Sequence, residues 1–350
     1  MQIKLRRWNR IRVRPLLGCL LLLATVTGCD RLQPQPNAAG SRPRLVWPAP
    51  PERARVELLQ VFRTPSELGI QRSFWRRIGD LLTGGHAVHL VRPAGIAAAR
   101  NLIAVADAGG DSVHLYDLER HRFRALSACG DATLREPVAV VFFNDRLYVS
   151  NAGTGRIEIF DRDGECAGGW TLDKGSRPAG LVADAARARL YVADPGLHRV
   201  LVFDPSGAII ARIGQRGTGP GEFNYPGWLA LDASGQLYVT DALNFRIQLF
   251  APDGTLVSSF GHPGDGSGDF ARPKGVGIDR DGHVYVVDAL FDAVQIFDAQ
   301  GHYLLGFGAR GTREGQFWLP SGLAVDGDRI YVVDSYNQRV QVFRYLGGGT

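Results

Sequence analysis

Residues 320–343 read PSGLAVDGDRIYVVDSYNQRVQVF. Three short apolar runs alternate with polar residues and are parted by Asp-Gly-Asp and Asp-Ser-Tyr-Asn, the period-two pattern of antiparallel strands joined by tight turns. Moving toward the N-terminus, the same order recurs after Pro273, Pro226, Pro178, Pro137 and Pro93, at intervals of 47, 47, 48, 41 and 44 residues. Each unit opens with an apolar strand after its proline and continues with a second strand, which in the later units ends in Tyr-Val-x-Asp. A third strand follows, such as 339–343, and then a fourth that starts at glycine, as in 254–260. Four short strands per period of forty-odd residues define a propeller blade. The expected fold is all-β, a six-bladed β-propeller of four-stranded antiparallel blades.

A ring must close, and the sixth unit reaches Phe343 with only seven residues left, so it lacks a fourth strand of its own. Residues 55–62, RVELLQVF, have the length and apolar content to supply it, with Phe62 in the place of Phe260 or Phe307. Such pairing removes two open sheet edges. Residues 54–92 then hold this closing strand and a short amphipathic helix over 73–82, with Ser73 as N-cap and an apolar face of Phe74, Trp75, Ile78, Leu81 and Leu82. The six repeats run over 93–346, and the whole propeller over 54–346.

The turn between second and third strands is the most regular feature. Asp107, Asn151, Asp194, Asp241, Asp288 and Asp334 each stand five residues before the opening of the third strand. An Asx side chain in such a turn accepts backbone N–H groups, and the Arg that usually opens the third strand can tie neighbouring loops. This structural role is preferred to a ring of metal-binding aspartates.

The order Pro-x-Gly-[Leu/Val]-Ala-x-Asp, Tyr-Val-x-Asp, Asn-x-Arg-[Ile/Val]-Gln-[Val/Leu]-Phe and a glycine leading to Phe-Gly resembles the NHL repeat. The resemblance spans 93–343 and is closest in the last three units. It implies that ligands meet the face carrying the second-to-third-strand turns and the connections from each fourth strand to the next blade. Some propellers of this kind are metal-dependent lyases or hydrolases, and others bind RNA.

The formal charge of +5 invites a nucleic-acid reading, but Lys4, Arg6, Arg7, Arg10, Arg12 and Arg14 precede every acidic residue, and removing those six leaves −1. They head an apolar stretch over 16–26, a secretory signal too short to span a membrane. Its end, Val26-Thr27-Gly28-Cys29, resembles a bacterial lipobox. Residues 1–28 are therefore expected to be a lipoprotein signal peptide, Cys29 the lipid attachment site and 29–53 a Pro-rich tether, placing the body in the cell envelope on the periplasmic or outer face. Nucleic acid is not an expected partner. Cys129 and Cys166 remain. An oxidising compartment favours their pairing, whereas the repeat register sets them at opposite ends of outer strands in neighbouring blades and argues against it.

Departures from the repeat mark the candidate site. After the opening proline Lys274 replaces a small or apolar residue, and one position further on Trp228 replaces Gly or Ala. The fifth turn places Phe291 and Asp292 where Asn244 and Phe245 stand in the fourth, and Tyr336 follows in the sixth. The ligand-binding candidates are thus Trp228, Asn244, Phe245, Lys274, Phe291, Asp292 and Tyr336, a mixture suited to a protein or peptide. No catalytic residue is assigned, because the eight histidines are scattered and neither H-E-x-x-H nor G-x-S-x-G occurs. No cofactor is indicated. Calcium at Asp161 and Asp163 or at Asp265 and Asp269, or zinc, belongs to the alternative of a metal-dependent lyase or hydrolase acting on a small amide, ester or lactone. The leading expectation is a non-enzymatic, monomeric recognition or scaffold lipoprotein for an envelope protein or peptide, with glycan or envelope-polymer binding as a further alternative.

Overall fold

The computed structural model describes residues 44–71 and 89–347. The signal, Cys29, the first part of the tether and the 73–82 helix lie outside the described residues.

Six antiparallel sheets follow one another in chain order. Blade 5 is representative, with strands Pro273–Ile278, Val284–Asp288, Ala293–Phe297 and Tyr303–Phe307 each pairing with the next. Blade 6 comprises Leu323–Asp326, Arg329–Asp334 and Arg339–Tyr345, and its fourth strand is Val56–Phe62, with Phe62 opposite Val340 and Val56 opposite Tyr345. The two ends of the propeller are therefore held in one sheet, as the missing strand of the sixth unit demanded.

Hydrophobic burial lies between blades. The second and third strands, flanked on both faces by neighbouring sheets, are almost wholly buried. Tyr191 and Val202 of blade 3, for example, pack with Leu237, Val239 and Phe250 of blade 4. Each buried aromatic of this kind contributes about 2–3 kcal/mol by area removed from water. The glycine-rich connections 217–221, 264–268 and 311–315 are inter-blade turns, each pinned by a fully buried phenylalanine, Phe223, Phe270 or Phe317.

Two features differ from the sequence expectations. First, the stretch read as tether enters the sheet: Val46–Trp47 pairs with the closing strand, Val46 opposite Glu57, and the Trp47 ring lies 5.7 Å from that of Phe343. Proline-rich composition masks this two-residue strand, which is held by one indole rather than by periodicity. Second, Cys129 and Cys166 are joined in a disulfide, with Cα atoms 4.8 Å apart. The register had carried Cys129 along the fourth strand of blade 1, but that strand ends at Leu126. The chain then folds into an added hairpin, Ala128–Cys129 against Ala132–Thr133, which brings Cys129 to the start of the blade 2 strand Cys166–Thr171.

At the inner ends of the blades backbone stitches backbone. Gly180 N–H donates to Gly227 O, Gly275 N–H to Ser321 O and Gly322 N–H to Ala94 O, at 2.8–2.9 Å. A Cβ on Gly275 would stand 2.6 Å from Ser321 O, so this contact requires glycine. Among the described residues no helix is long and apolar enough to cross a membrane.

Candidate functional site

The loop face is built by the six Asx residues. All are buried, and each accepts the backbone N–H of the connection arriving from the previous blade: Asp107 from Val91 and Arg92, Asn151 from Arg135, Asp194 from Arg177, Asp241 from Asn224, Asp288 from Ala271 and Arg272, and Asp334 from Trp318. Three of these carboxylates also take a third-strand arginine, closest in the fully buried pair Arg339–Asp334 at 2.6 Å. Arg339 further donates to the carbonyls of Thr312, Arg313 and Gln316, which ties turn and connection into one unit. Burial pushes the Asp334 carboxyl up from its ordinary range against these bonds. The oxygens that a metal ring would need are thus committed to the protein's own amides and guanidinium groups.

Among the candidates, Trp228 crosses the central channel. Its Cη2 lies 3.3 Å from where a Cβ on Gly95 would stand and 3.1 Å from one on Gly322, so the indole of blade 4 reaches blades 1 and 6. Below it runs a cavity of about 230 Å³ lined by the inner strands, including Ile96, Val140, Leu229, Val276 and Leu323. Lys274, in the first strand of blade 5, is half-buried, and its carbonyl accepts the Thr240 hydroxyl at 2.8 Å. Burial, reinforced by the cations of Arg272 and Arg92, pushes its ammonium down to about 8. Among the described residues the side chains of Lys274, Arg272 and Arg92 have neither a hydrogen bond nor an ion pair.

The other candidates divide. Tyr336 is exposed, with its ring 5.7 Å from that of Trp318. Asn244 donates to Gly217 O and to Asp241, and Asp292 is buried and accepts Leu319 N–H at 2.6 Å, so both polar groups serve the loop framework. Phe245 packs against the core between blades 4 and 5, and Phe291 is half-buried.

Several face residues escaped the sequence reading. Two positions after each Asx stand Gly109, Gly153 and Gly196 in blades 1–3 but Leu243, Leu290 and Tyr336 in blades 4–6. In the first half the turn lies hard against the preceding connection: a Cβ on Gly109 would meet Arg92 Cβ at 2.6 Å and one on Gly153 would meet Arg135 O at 2.8 Å. The second half lifts large side chains outward, and Leu290 is 56% exposed. Tyr225 and Trp318, in the adjoining connections, are exposed too. The signal was the glycine alternation itself, legible when the six units are aligned at the Asx.

The opposite face carries the one group among the described residues with three potential metal ligands in reach, Asp279, Asp281 and His283. Asp279 is already occupied, since Oδ1 accepts the backbone of Asp281 and His283 while Oδ2 meets His283 Nδ1 and the Tyr285 hydroxyl at 2.9 Å. Asp163 pairs with Arg120 and Arg122, and Asp269 lies 2.9 Å from His262.

Comparison with known proteins agrees with the architecture. The NHL repeat matches residues 317–343, and a family described as 6-bladed beta-propeller matches 181–235. No curated protein matches the sequence. Similar solved structures include a protein of unknown function from Bacteroides thetaiotaomicron, with a TM-score of 0.58 and 18% identity over 73% of this chain and 70% of that one. A gluconolactonase from Xanthomonas campestris gives 0.55 and 21% over 73% and 86%, and virginiamycin B lyase from Staphylococcus aureus gives 0.54 and 13% over 73% and 95%. At these identities the likeness concerns the fold alone. The chain is a six-bladed β-propeller closed by its own N-terminal strand, with an NHL repeat matched in its last blade.

Proposed function

We propose that the propeller is a non-enzymatic recognition module that presents the loop face of blades 4–6 to a protein or peptide, working as a lipid-anchored component of the cell envelope. The observation that carries this reading is the asymmetry of the face. Leu243, Leu290 and Tyr336 stand exposed where blades 1–3 have glycine, so exposed apolar groups are denser on blades 4–6, although Val91 and Leu197 are exposed on the other half, and such a surface is what a polypeptide partner buries. The signal-like 1–28 segment and Cys29 support the envelope setting, and the −1 charge remaining after the leader cations disfavours nucleic acid.

The metal-dependent enzyme remains the competing reading, motivated by the lyase and gluconolactonase among the similar structures.

Panning a random peptide library on the purified full chain, with counter-selection on Leu243→Asp/Leu290→Asp, tests the proposal. Recovery of apolar or aromatic peptides that bind the unaltered chain and lose affinity on the double variant is the expected result. Peptides indifferent to both substitutions would overturn it, as would a stoichiometric zinc or calcium ion whose removal abolishes a hydrolytic or lyase activity.

A further inference from the structure

We propose that the cavity between blades 5 and 6, on the face opposite the loops, is a binding site for a small organic amine, with Asp281 taking the ammonium group and Tyr285, Tyr345 and an apolar wall taking its hydrocarbon stem. The site is separate from the recognition face proposed above and stands or falls without it.

The cavity has a volume of about 360 Å³ and opens where two unequal turns meet. In blade 5 five residues, 279–283, separate the paired Ile278 and Val284, whereas in blade 6 four, 326–329, separate Val325 and Ile330. Both turns line the cavity, and Val325, Ile330 and Leu346 give it an apolar side. Its other side is aromatic. Tyr345 donates its N–H to Asp328 O at 2.9 Å and its ring lies 4.9 Å from that of His283, while the Tyr285 hydroxyl donates to Asp279 at 2.9 Å. The walls are thus strand residues and hydrogen-bonded turns, formed in advance of any ligand, and the volume falls in the range of about 300–1,000 Å³ common to small-molecule sites.

One carboxylate lining this cavity is uncommitted. In blade 4 Ser234 stands two residues after Asp232, and its hydroxyl donates to the Asp232 carboxylate at 2.7 Å. Blade 5 has Asp281 at the same place after Asp279, and a carboxylate has no proton to donate. Its oxygen lies within 4.8 Å of the ligand atoms of Asp279 and His283, and among the described residues its side chain has neither a hydrogen bond nor an ion pair. The other acids of the cavity are engaged: Asp328 pairs with Arg344 at 3.2 Å, and Asp279 serves two backbone amides, His283 and Tyr285. Burial, with the charges of Asp279 and Asp281, pushes the Tyr345 phenol up, so it stays neutral beside these anions. A free carboxylate against aromatic rings and an aliphatic wall is completed by an ammonium on a short hydrocarbon stem, through an ion pair at one end and cation–π contact and apolar burial along the rest. Calcium calls for about six to eight oxygens, more than are uncommitted here. Arg280 also lines the cavity, but it is exposed and forms no ion pair among the described residues, so it leaves Asp281 unneutralised and acts on the ammonium as a like charge.

Saturation-transfer NMR titrations of the full chain at pH 7 with pentylamine, 1-pentanol and pentanoate test this, repeated on Asp281→Asn, Arg280→Gln and the loop-face variant Leu243→Asp/Leu290→Asp. Pentylamine should bind about tenfold more tightly than the alcohol of the same shape, the difference expected for one charge-assisted hydrogen bond. Asp281→Asn should bring amine and alcohol to equal affinity, and Arg280→Gln should tighten the amine. The loop-face variant should bind the amine unchanged, so failure of the recognition reading and failure of this site are told apart. Circular dichroism confirms that each variant is folded, and the comparison of amine with alcohol on the unaltered chain needs no variant. The inference is overturned if amine and alcohol bind alike or not at all, if pentanoate is preferred, or if Asp281→Asn keeps the preference for the amine. Calcium chloride binding stoichiometrically through Asp281 and displacing the amine would equally replace it with a metal site.

Discussion

Lys274 carries a signature that can be read as stability. Its ordinary value is 10.5 and its folded value about 8, so between these limits the unfolded chain holds a proton that the folded chain has released. Stability arising from this group therefore rises as pH climbs from about 8 to 10.5, and below 8 the folded state bears the full penalty of the charge. Lys274→Met should accordingly raise the melting temperature at pH 7, with most of the gain gone at pH 10.5, where the folded lysine is neutral and the unfolded one half neutral. Paired thermal melts at the two pH values measure it, and a variant less stable than the original at pH 7 would contradict the penalty. The lysine itself was visible in the sequence as a break in the repeat. Its two companions were not, because Arg92 and Arg272 precede prolines 180 positions apart and nothing linear relates blade 1 to blade 5.

At the scale of elements, the added hairpin is clamped by Cys129–Cys166 across a separation of 37 residues, a loop whose closure stabilises the fold by about 3–4 kcal/mol in the chain-entropy account. Cys129→Ser/Cys166→Ser should lower the denaturant midpoint by a corresponding amount while leaving blades 3–6 and the loop face unaltered. Chemical denaturation with and without reductant checks this, since reductant should destabilise the original and leave the variant unchanged. Strand identity was legible throughout, because period-two alternation persists in every second and third strand. Elements of two residues, Val46–Trp47 and the hairpin Ala128–Cys129, were not, since two positions carry no period and their stability comes from Trp47 packing on Phe343 and from the disulfide. In the candidate site, the sequence singled out Asn244 and Asp292 for being unlike their neighbours. A departure from a repeat reports a changed contact without saying whether that contact faces solvent or the framework, and these two face the framework.

For the whole molecule, closure is the decisive contact. Val56–Phe62 supplies the fourth strand of blade 6 and buries Val56 and Phe62 completely. Removing residues 1–62 should leave the outer edge of Arg339–Tyr345 unpaired and convert a single cooperative unfolding transition into a broad one with aggregation. Calorimetry and light scattering on the truncated chain measure the outcome, and a truncated protein that melts sharply and stays monodisperse would show the ring to be self-sufficient without its clasp. The number of blades, their strand order and the strand that closes them were determined by the sequence alone, because a repeat of fixed period admits one way to hide its apolar faces and its open edges. Only the tertiary structure decided that the Trp228 indole of blade 4 reaches blades 1 and 6, that Val46–Trp47 joins the closing sheet and that the two cysteines meet. These are relations between turns and connections brought together by the circle, and a circle places residues side by side irrespective of their distance along the chain.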